Sequence, residues 1–242
     1  MMGHWLDVAM TSSGLRRDTT FPRDIATEAQ DALSVELIPI PMLTTSHVTD
    51  WLRYRGVRRS ASDTERELYG CMVARAGSAF LFHDTGDTEA EQRFTIAHEV
   101  AHFVLDHLLP RERAIHHFGE GILPVINGQR RASLEERLSS VLGQVPLGVQ
   151  IKLMDRNPSG HLPSGAIAEA ERRADRLAFE LLAPAEHARP LLQSAPDEEG
   201  PALLARHFGI PEDKARGYAR LLKPQKRTQP FSIIQFLGEE RT

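Results

Sequence analysis

Three side chains in FTIAHEVAHFVLDHL, residues 94–108, have the types and spacing of a metal-dependent hydrolytic site: His98, Glu99 and His102. Residues four apart on a helix lie about 40° apart around its axis, so two imidazoles at that spacing aim at one point. Two neutral imidazoles there can hold a zinc ion. The glutamate between them stands beside the ion and can take a proton from water. A helix carrying two histidines on a solvated face is the plain alternative. The flanks oppose it. Thr88 and Glu91 form a capping box that starts a helix just upstream. Phe94, Ala97, Ala101, Val104 and Leu108 form an apolar stripe at helical spacing, which buries one side of that helix.

Catalytic zinc usually takes three protein ligands. A third histidine from the extended motif is closed off, because Leu105 and Leu108 stand where glycine and histidine are needed. His107 misses by one residue and points about 140° away from His102. A carboxylate from a later helix fits best. Glu171 is the expected ligand, and Asp175, one turn on, can accept a hydrogen bond from the free ring N–H of His98 or His102. Glu169 is the rival ligand, though it lies about 160° from Glu171 around the helix. His116, His117 and His161 are weaker candidates in expected loops.

The elements that must position these groups follow from pattern. A short helix is expected over residues 23–33, an extended segment at 38–41 and a capped helix through 48–54. Residues 67–74 and 78–83 read as a hairpin leading into the histidine helix. The stretch 111–163 reads as loop with one capped helix, in which Leu134, Leu138 and Val141 are the apolar positions, and a strand near 149–154. Asn157 to Gly160 reads as a turn. Ser164 caps a helix over 165–183 whose apolar face includes Ile167, Ala174, Leu177, Ala178 and Leu181. Residues 185–200 read as loop, followed by helices over 201–207 and 211–222 hinged at Gly209, then a strand-like apolar tail at 230–237.

Composition sets the class. The chain has 242 residues, 41% hydrophobic and 26% charged, which describes an ordinary soluble globular protein. A net charge of −4 argues against a surface given over to nucleic acid. The single Cys71 excludes an internal disulfide and a cysteine-rich zinc site, and a buried thiol is expected. No stretch approaches the ~20 apolar residues of a membrane span, and the first residues lack a signal-peptide pattern, so a cytoplasmic location and no membrane partner are expected.

RFTIAHEVAHFVLDH (93–107) followed by EAERRADRLAFELLAP (169–184) resembles the ImmA/IrrE family of zinc-dependent metallopeptidases. HFGIPEDKARGYARLL (207–222) is similar to the helical segment that commonly follows in that family, so the resemblance spans roughly residues 35–224. The family's metal ligands fall on His98, His102 and Glu171. The resemblance implies an α+β fold: a mostly helical, zincin-like metalloprotease domain of the HExxH…E (gluzincin-like) kind with a small antiparallel sheet, then a helix-turn-helix-like segment. It divides the chain into an N-terminal extension (1–34), the peptidase domain (35–184) and a C-terminal segment (185–242). The gap between His102 and Glu171 is longer than usual, so about 111–160 reads as an insertion beside the cleft. The implied substrate is a helix-turn-helix repressor, cut to relieve repression in mobile elements or stress responses.

The competing reading is a DNA-binding or protein-binding regulator with a structural or inactive metal site. Residues 201–228 carry seven Lys or Arg against two acids and have helix-turn-helix spacing. A helical hairpin packed on the protease body, with a solvated basic side, accounts for the same residues. Four groups are candidate donors to a developing oxyanion: His116, His117, Arg173 and Tyr218.

Overall fold

The computed structural model describes residues 4–16, 20–143, 145–156 and 165–223. The expected turn at 157–160, His161, the cap at Ser164, Lys226, Arg227 and the tail at 230–237 lie outside the described residues. The chain runs α1 (His4–Ser13), α2 (Ile25–Ala32), β1 (Val35–Ile40), α3 (Thr45–Tyr54), β2 (Leu68–Arg75), β3 (Ser78–Asp84) and α4 (Glu89–His102). A π-type turn (Phe103–Leu108) leads into α5 (Leu109–Phe118), and a single 3-10 turn, Glu120–Ile122, precedes α6 (Leu123–Ile126). Then come α7 (Leu134–Leu138), α8 (Ser140–Gly143), β4 (Gln150–Asp155), α9 (Gly165–Leu182), α10 (Ala185–Ser194), α11 (Gly200–Phe208) and α12 (Glu212–Leu222). The fold is α+β and mostly helical.

The sheet order is β1-β3-β2-β4. The β2–β3 hairpin turns on Ala76 and Gly77, whose φ values of 55° and 89° match the right-handed twist of the flanking strands. β4 pairs antiparallel to β2. The sheet departs from the expected antiparallel one at β1, which runs parallel to β3. α3 and β2 intervene between the paired strands: β2 runs opposite to β1, and the β2–β3 hairpin reverses the chain again, so β3 enters beside β1 in the same direction. The side chains alternate between two cores. Cys71, Val73 and Phe82 face α3 with Leu43, Val48 and Leu52, while Met72, Ala74, Ala79 and Leu81 face α4.

Helix α4 is the centre of the molecule. Its capping box is present: Glu91 N–H donates to Thr88 Oγ1 at 3.3 Å and Thr88 N–H to Glu91 at 3.0 Å. The stripe predicts one buried side, but every residue from Phe94 to His102 is buried. The sheet covers one side of α4, and α9 and α2 cover others. Burial all round excludes the solvated-face reading of the two histidines.

Several elements differ from expectation for identifiable reasons. The helix does not stop at Pro110. It widens instead, with Leu109 N–H bonding to Val104 O five residues back, and this winding carries the chain through the proline into α5. Residues 185–194 form a helix despite Pro190, because Ala185 and Ala188 anchor it to the core. The capped helix at Ser133 ends at Leu138, and Leu134 and Leu138 are exposed; the satellite core there is built from Ala114, Ile122, Val125, Ile126, Leu142 and Val145. Ile167 is exposed because the first turn of α9 projects past the core. Helices α1 and α2 contribute Leu6, Met10, Ile25 and Ala29 to the main core, and buried Arg23 donates to Leu181 O at 2.6 Å. α11 and α12 form a helical hairpin on the body, sinking Leu204, Phe208, Ala215 and Tyr218 into the same core.

Candidate metal centre

Two helices converge on one point. α4 supplies His98 and His102 one turn apart, and α9, packed along α4, supplies Glu171. The Nε2 atoms of the two histidines are 3.1 Å apart. Glu171 Oε2 lies 3.3 Å from His98 Nε2, and its Oε1 lies 3.4 Å from His102 Nε2. Four ligands about 2.0–2.1 Å from a tetrahedral zinc are separated by about 3.3 Å. The three spacings are therefore those of a tetrahedral edge. Among the described residues this trio is the one group of histidine and acidic side chains able to hold a metal ion.

The ring nitrogens that face away from this point are also held. His98 Nδ1 is 3.0 Å from Asp175 Oδ1. His102 Nδ1 is 2.9 Å from Asp106 Oδ2, and Lys152 Nζ on β4 is 3.0 Å from the same oxygen. Each carboxylate accepts the Nδ1 proton and leaves Nε2 as the donor atom for a metal. The expected role of Asp175 falls on His98; the partner of His102 was not anticipated. Replacing Asp106 or Asp175 with asparagine should lower zinc affinity by about 10–100-fold. Competition with a calibrated chelator measures this, and wild-type affinity in both variants would reduce these contacts to packing.

The protonation balance without a metal reflects that geometry. Burial pushes His102 down, but its hydrogen bonds to Asp106 and Glu171 prevail and lift it to about 9. Burial lowers His98 too, and Asp175 and Glu171 reverse the direction. Burial raises Glu171, but His102 and His98 hold its carboxyl well below the usual carboxylate range. The three groups thus carry paired opposite charges that a divalent cation can replace, with loss of the imidazole protons.

Glu99 is different. It is 1% exposed, and both its carboxylate oxygens are buried without a hydrogen-bond partner. Burial pushes its pKa up to about 7, against the pull of His98 and His102. A buried carboxyl with no partner is costly, and structure-stabilising contacts do not explain it. A place has been kept for it by Gly70 on β2. A Cβ there would stand 2.5 Å from Thr95 Cγ2 and 3.1 Å from Glu99 Oε1. Gly70→Ala should cost about 1–3 kcal/mol by overpacking and lower turnover by displacing Glu99. Chemical denaturation and activity read the two effects, and an unchanged protein would mean that α4 shifts freely.

The other candidates sort by position. Glu169 is exposed and paired with Arg172 at 2.6 Å, away from the histidines. His107 is buried against the hairpin, where Gly77 N–H donates to its Nε2 at 2.9 Å. Its Nδ1 lies 2.7 Å from the Gln150 side-chain nitrogen. Burial, aided by Arg111, holds His107 down at about 4. Tyr218 is fully buried; its hydroxyl donates to Ala183 O at 2.8 Å and its ring stacks on Phe179, so it is not free to serve an oxyanion. His116, His117 and Arg173 line a cavity of about 1140 Å³ whose wall includes Asp106 and Lys152. Asp106 carried a readable signal, an acid one turn after His102; Lys152 and Gly70 carried none.

Residues 55–122 match the family model of the Peptidase_M78, IrrE N-terminal-like domain. The matched segment contains the hairpin, α4 and the π-type turn, and ends before β4 and α9. No match is found among curated proteins.

Proposed function

We propose, from the match of residues 55–122 to the IrrE N-terminal-like domain model and from the converging ligand atoms, that the chain is a zinc-dependent endopeptidase whose substrate is a helix-turn-helix transcriptional repressor. The observation that carries the peptidase reading is Glu99, buried with both oxygens unpartnered beside three converging ligand atoms. His98, His102 and Glu171 would hold the ion. Bound zinc supplies a Lewis acid that acidifies water and polarises a carbonyl. Glu99 takes the proton of the attacking water and passes it to the leaving nitrogen. Asp106 and Asp175 keep the imidazoles in the ligating tautomer throughout.

The cavity of about 1140 Å³ is lined by Asp106 and a second of about 440 Å³ by Asp175, the residues that hold the outer ring nitrogens of His102 and His98, and Arg173 lines both. No helix among the described residues is long and apolar enough to cross a membrane. The repressor is supported by the family resemblance. It is tested by incubating the zinc-loaded chain with the helix-turn-helix repressor encoded beside its gene and reading fragments by mass spectrometry. One cut is expected, abolished by chelation and restored by zinc. A repressor that is bound but never cut would favour a regulator with an inactive metal site.

A further inference from the structure

The larger cavity has a charge that the chain as a whole does not share. The protein carries a net charge of −4. The cavity is lined by Arg59, Arg113, Lys152 and Arg173 against Asp106 and Glu112. Both carboxylates are already engaged. Asp106 receives His102 and Lys152, and Glu112 accepts from Ser12 Oγ at 3.1 Å. Of the cations, Lys152 is held by Asp106 and Arg59 donates to Val149 O, which leaves Arg113 and Arg173 without a carboxylate among the described residues. Arg173 Nε is buried with no hydrogen-bond partner, and its guanidinium carbon sits 4.9 Å from the centre of the Trp5 ring. Arg113 stands exposed on α5.

One wall of this cavity is β4. The strand is the edge of the sheet, with β2 on one side and no further strand among the described residues on the other. Gln150, Ile151 and Lys152 of that strand line the cavity. An open strand edge offers main-chain donors and acceptors to an extended chain, while pockets beside it choose the side chains. The cavity therefore combines an open strand edge with two cations that no carboxylate holds, and Asp106, which holds the outer ring nitrogen of His102, lines its wall.

We propose that this cavity binds an acidic, extended segment of the protein substrate, and so sets which peptides reach the metal centre. The proposal rests on the peptidase reading above and adds the substrate's chemical character. Carboxylates at alternate positions along the bound segment would project to the same side as the cations. Charge attraction of this kind raises the rate of encounter and selects partners, and it weakens with salt.

The test uses the full chain, zinc-loaded and carrying Glu99→Gln so that binding is read without cleavage. Fluorescein-labelled ten-residue peptides with Asp and Glu at alternate positions are compared by anisotropy with their Asn and Gln counterparts. A single-stranded oligonucleotide of equal length is the third probe. About tenfold tighter binding of the acidic peptide is expected, shrinking as salt is raised from about 50 to about 300 mM, over which the Debye length falls from about 14 Å to about 6 Å. Arg59→Glu together with Arg113→Glu should abolish the preference while leaving zinc affinity unchanged, and Arg206→Glu, exposed on α11 and outside the cavity lining, should preserve it. Equal binding of the acidic and amide peptides overturns the proposal, as does a preference that survives the double reversal. Tighter binding of the oligonucleotide overturns it in favour of a nucleic-acid site. Failure of the peptidase reading shows elsewhere, as absence of cleavage of every peptide by the unsubstituted zinc-loaded chain, and leaves the anisotropy comparison intact.

Discussion

Glu99→Gln is expected to keep its zinc and lose peptide cleavage by about 10²–10⁴-fold, the usual contribution of a positioned general base. The substitution exchanges one carboxylate oxygen for an amide nitrogen and leaves the volume of the side chain opposite Gly70 nearly unchanged. None of the three converging ligand atoms belongs to Glu99, so metal content measured by atomic absorption should match wild type. The remaining hydrogen-bonding and packing of α4 do not pass through its carboxylate, whose oxygens have no partner. Stability should therefore stay close to wild type, which separates this variant from one that fails by unfolding. Undiminished proteolysis by Glu99→Gln would sink the mechanism. The pH dependence has a defined direction. Burial places Glu99 at about 7 in the metal-free protein, and a nearby divalent charge pulls a carboxyl lower. Activity that needs the ionised base should thus fall as pH drops through a value below about 7, and this acid limb should vanish from the residual activity of the glutamine variant.

What was legible in the sequence was local. The capping box at Thr88 and Glu91, the i, i+4 histidines and the hairpin each depend on contacts within a few residues, and each appears where the pattern puts it. Glu171 was legible because a ligand and its acidic follower one turn later leave a spacing on a helix, and the structure brings that carboxylate to the two histidines. What was not legible depends on register between distant segments. Lys152 reaches Asp106 only because β4 pairs with β2 so that Lys152 stands opposite Met72, on the face turned to α4. Gly70 matters only because Thr95 and Glu99 lie over it. The parallel entry of β1 and the passage of the helix through Pro110 are tertiary outcomes as well. In both, packing overrides the preference that a single residue type announces.

Replacing Glu171 with alanine should lower zinc affinity by more than the ~10–100-fold that loss of a supporting hydrogen-bond partner costs. The reason lies in both states of the site. With metal, two imidazoles alone fall short of the three protein ligands a catalytic zinc needs. Without metal, Glu171 is one of the carboxylates that keep His98 and His102 above their ordinary pKa. Its loss therefore lowers the proton affinity of both histidines, an effect that by itself favours metal at low pH. The two consequences oppose one another, and their difference in pH dependence makes them separable. Wild-type zinc affinity should fall steeply as pH drops, because the ion must displace a proton from His102, which titrates at about 9. In Glu171→Ala the affinity should be weaker at every pH but fall less steeply. Thermal unfolding reports the same contrast, since a ligand bound only to the folded state stabilises by RT ln(1 + [L]/Kd). Zinc should raise the melting temperature of the wild-type protein and barely move that of the variant. Full zinc occupancy in Glu171→Ala would transfer the third position to another donor. Glu169 is poorly placed to take it, because it is exposed and held by Arg172 on the far side of α9. A retained metal would therefore imply rotation of α9 against α4, which the buried contacts of Ala174, Leu177 and Ala178 oppose.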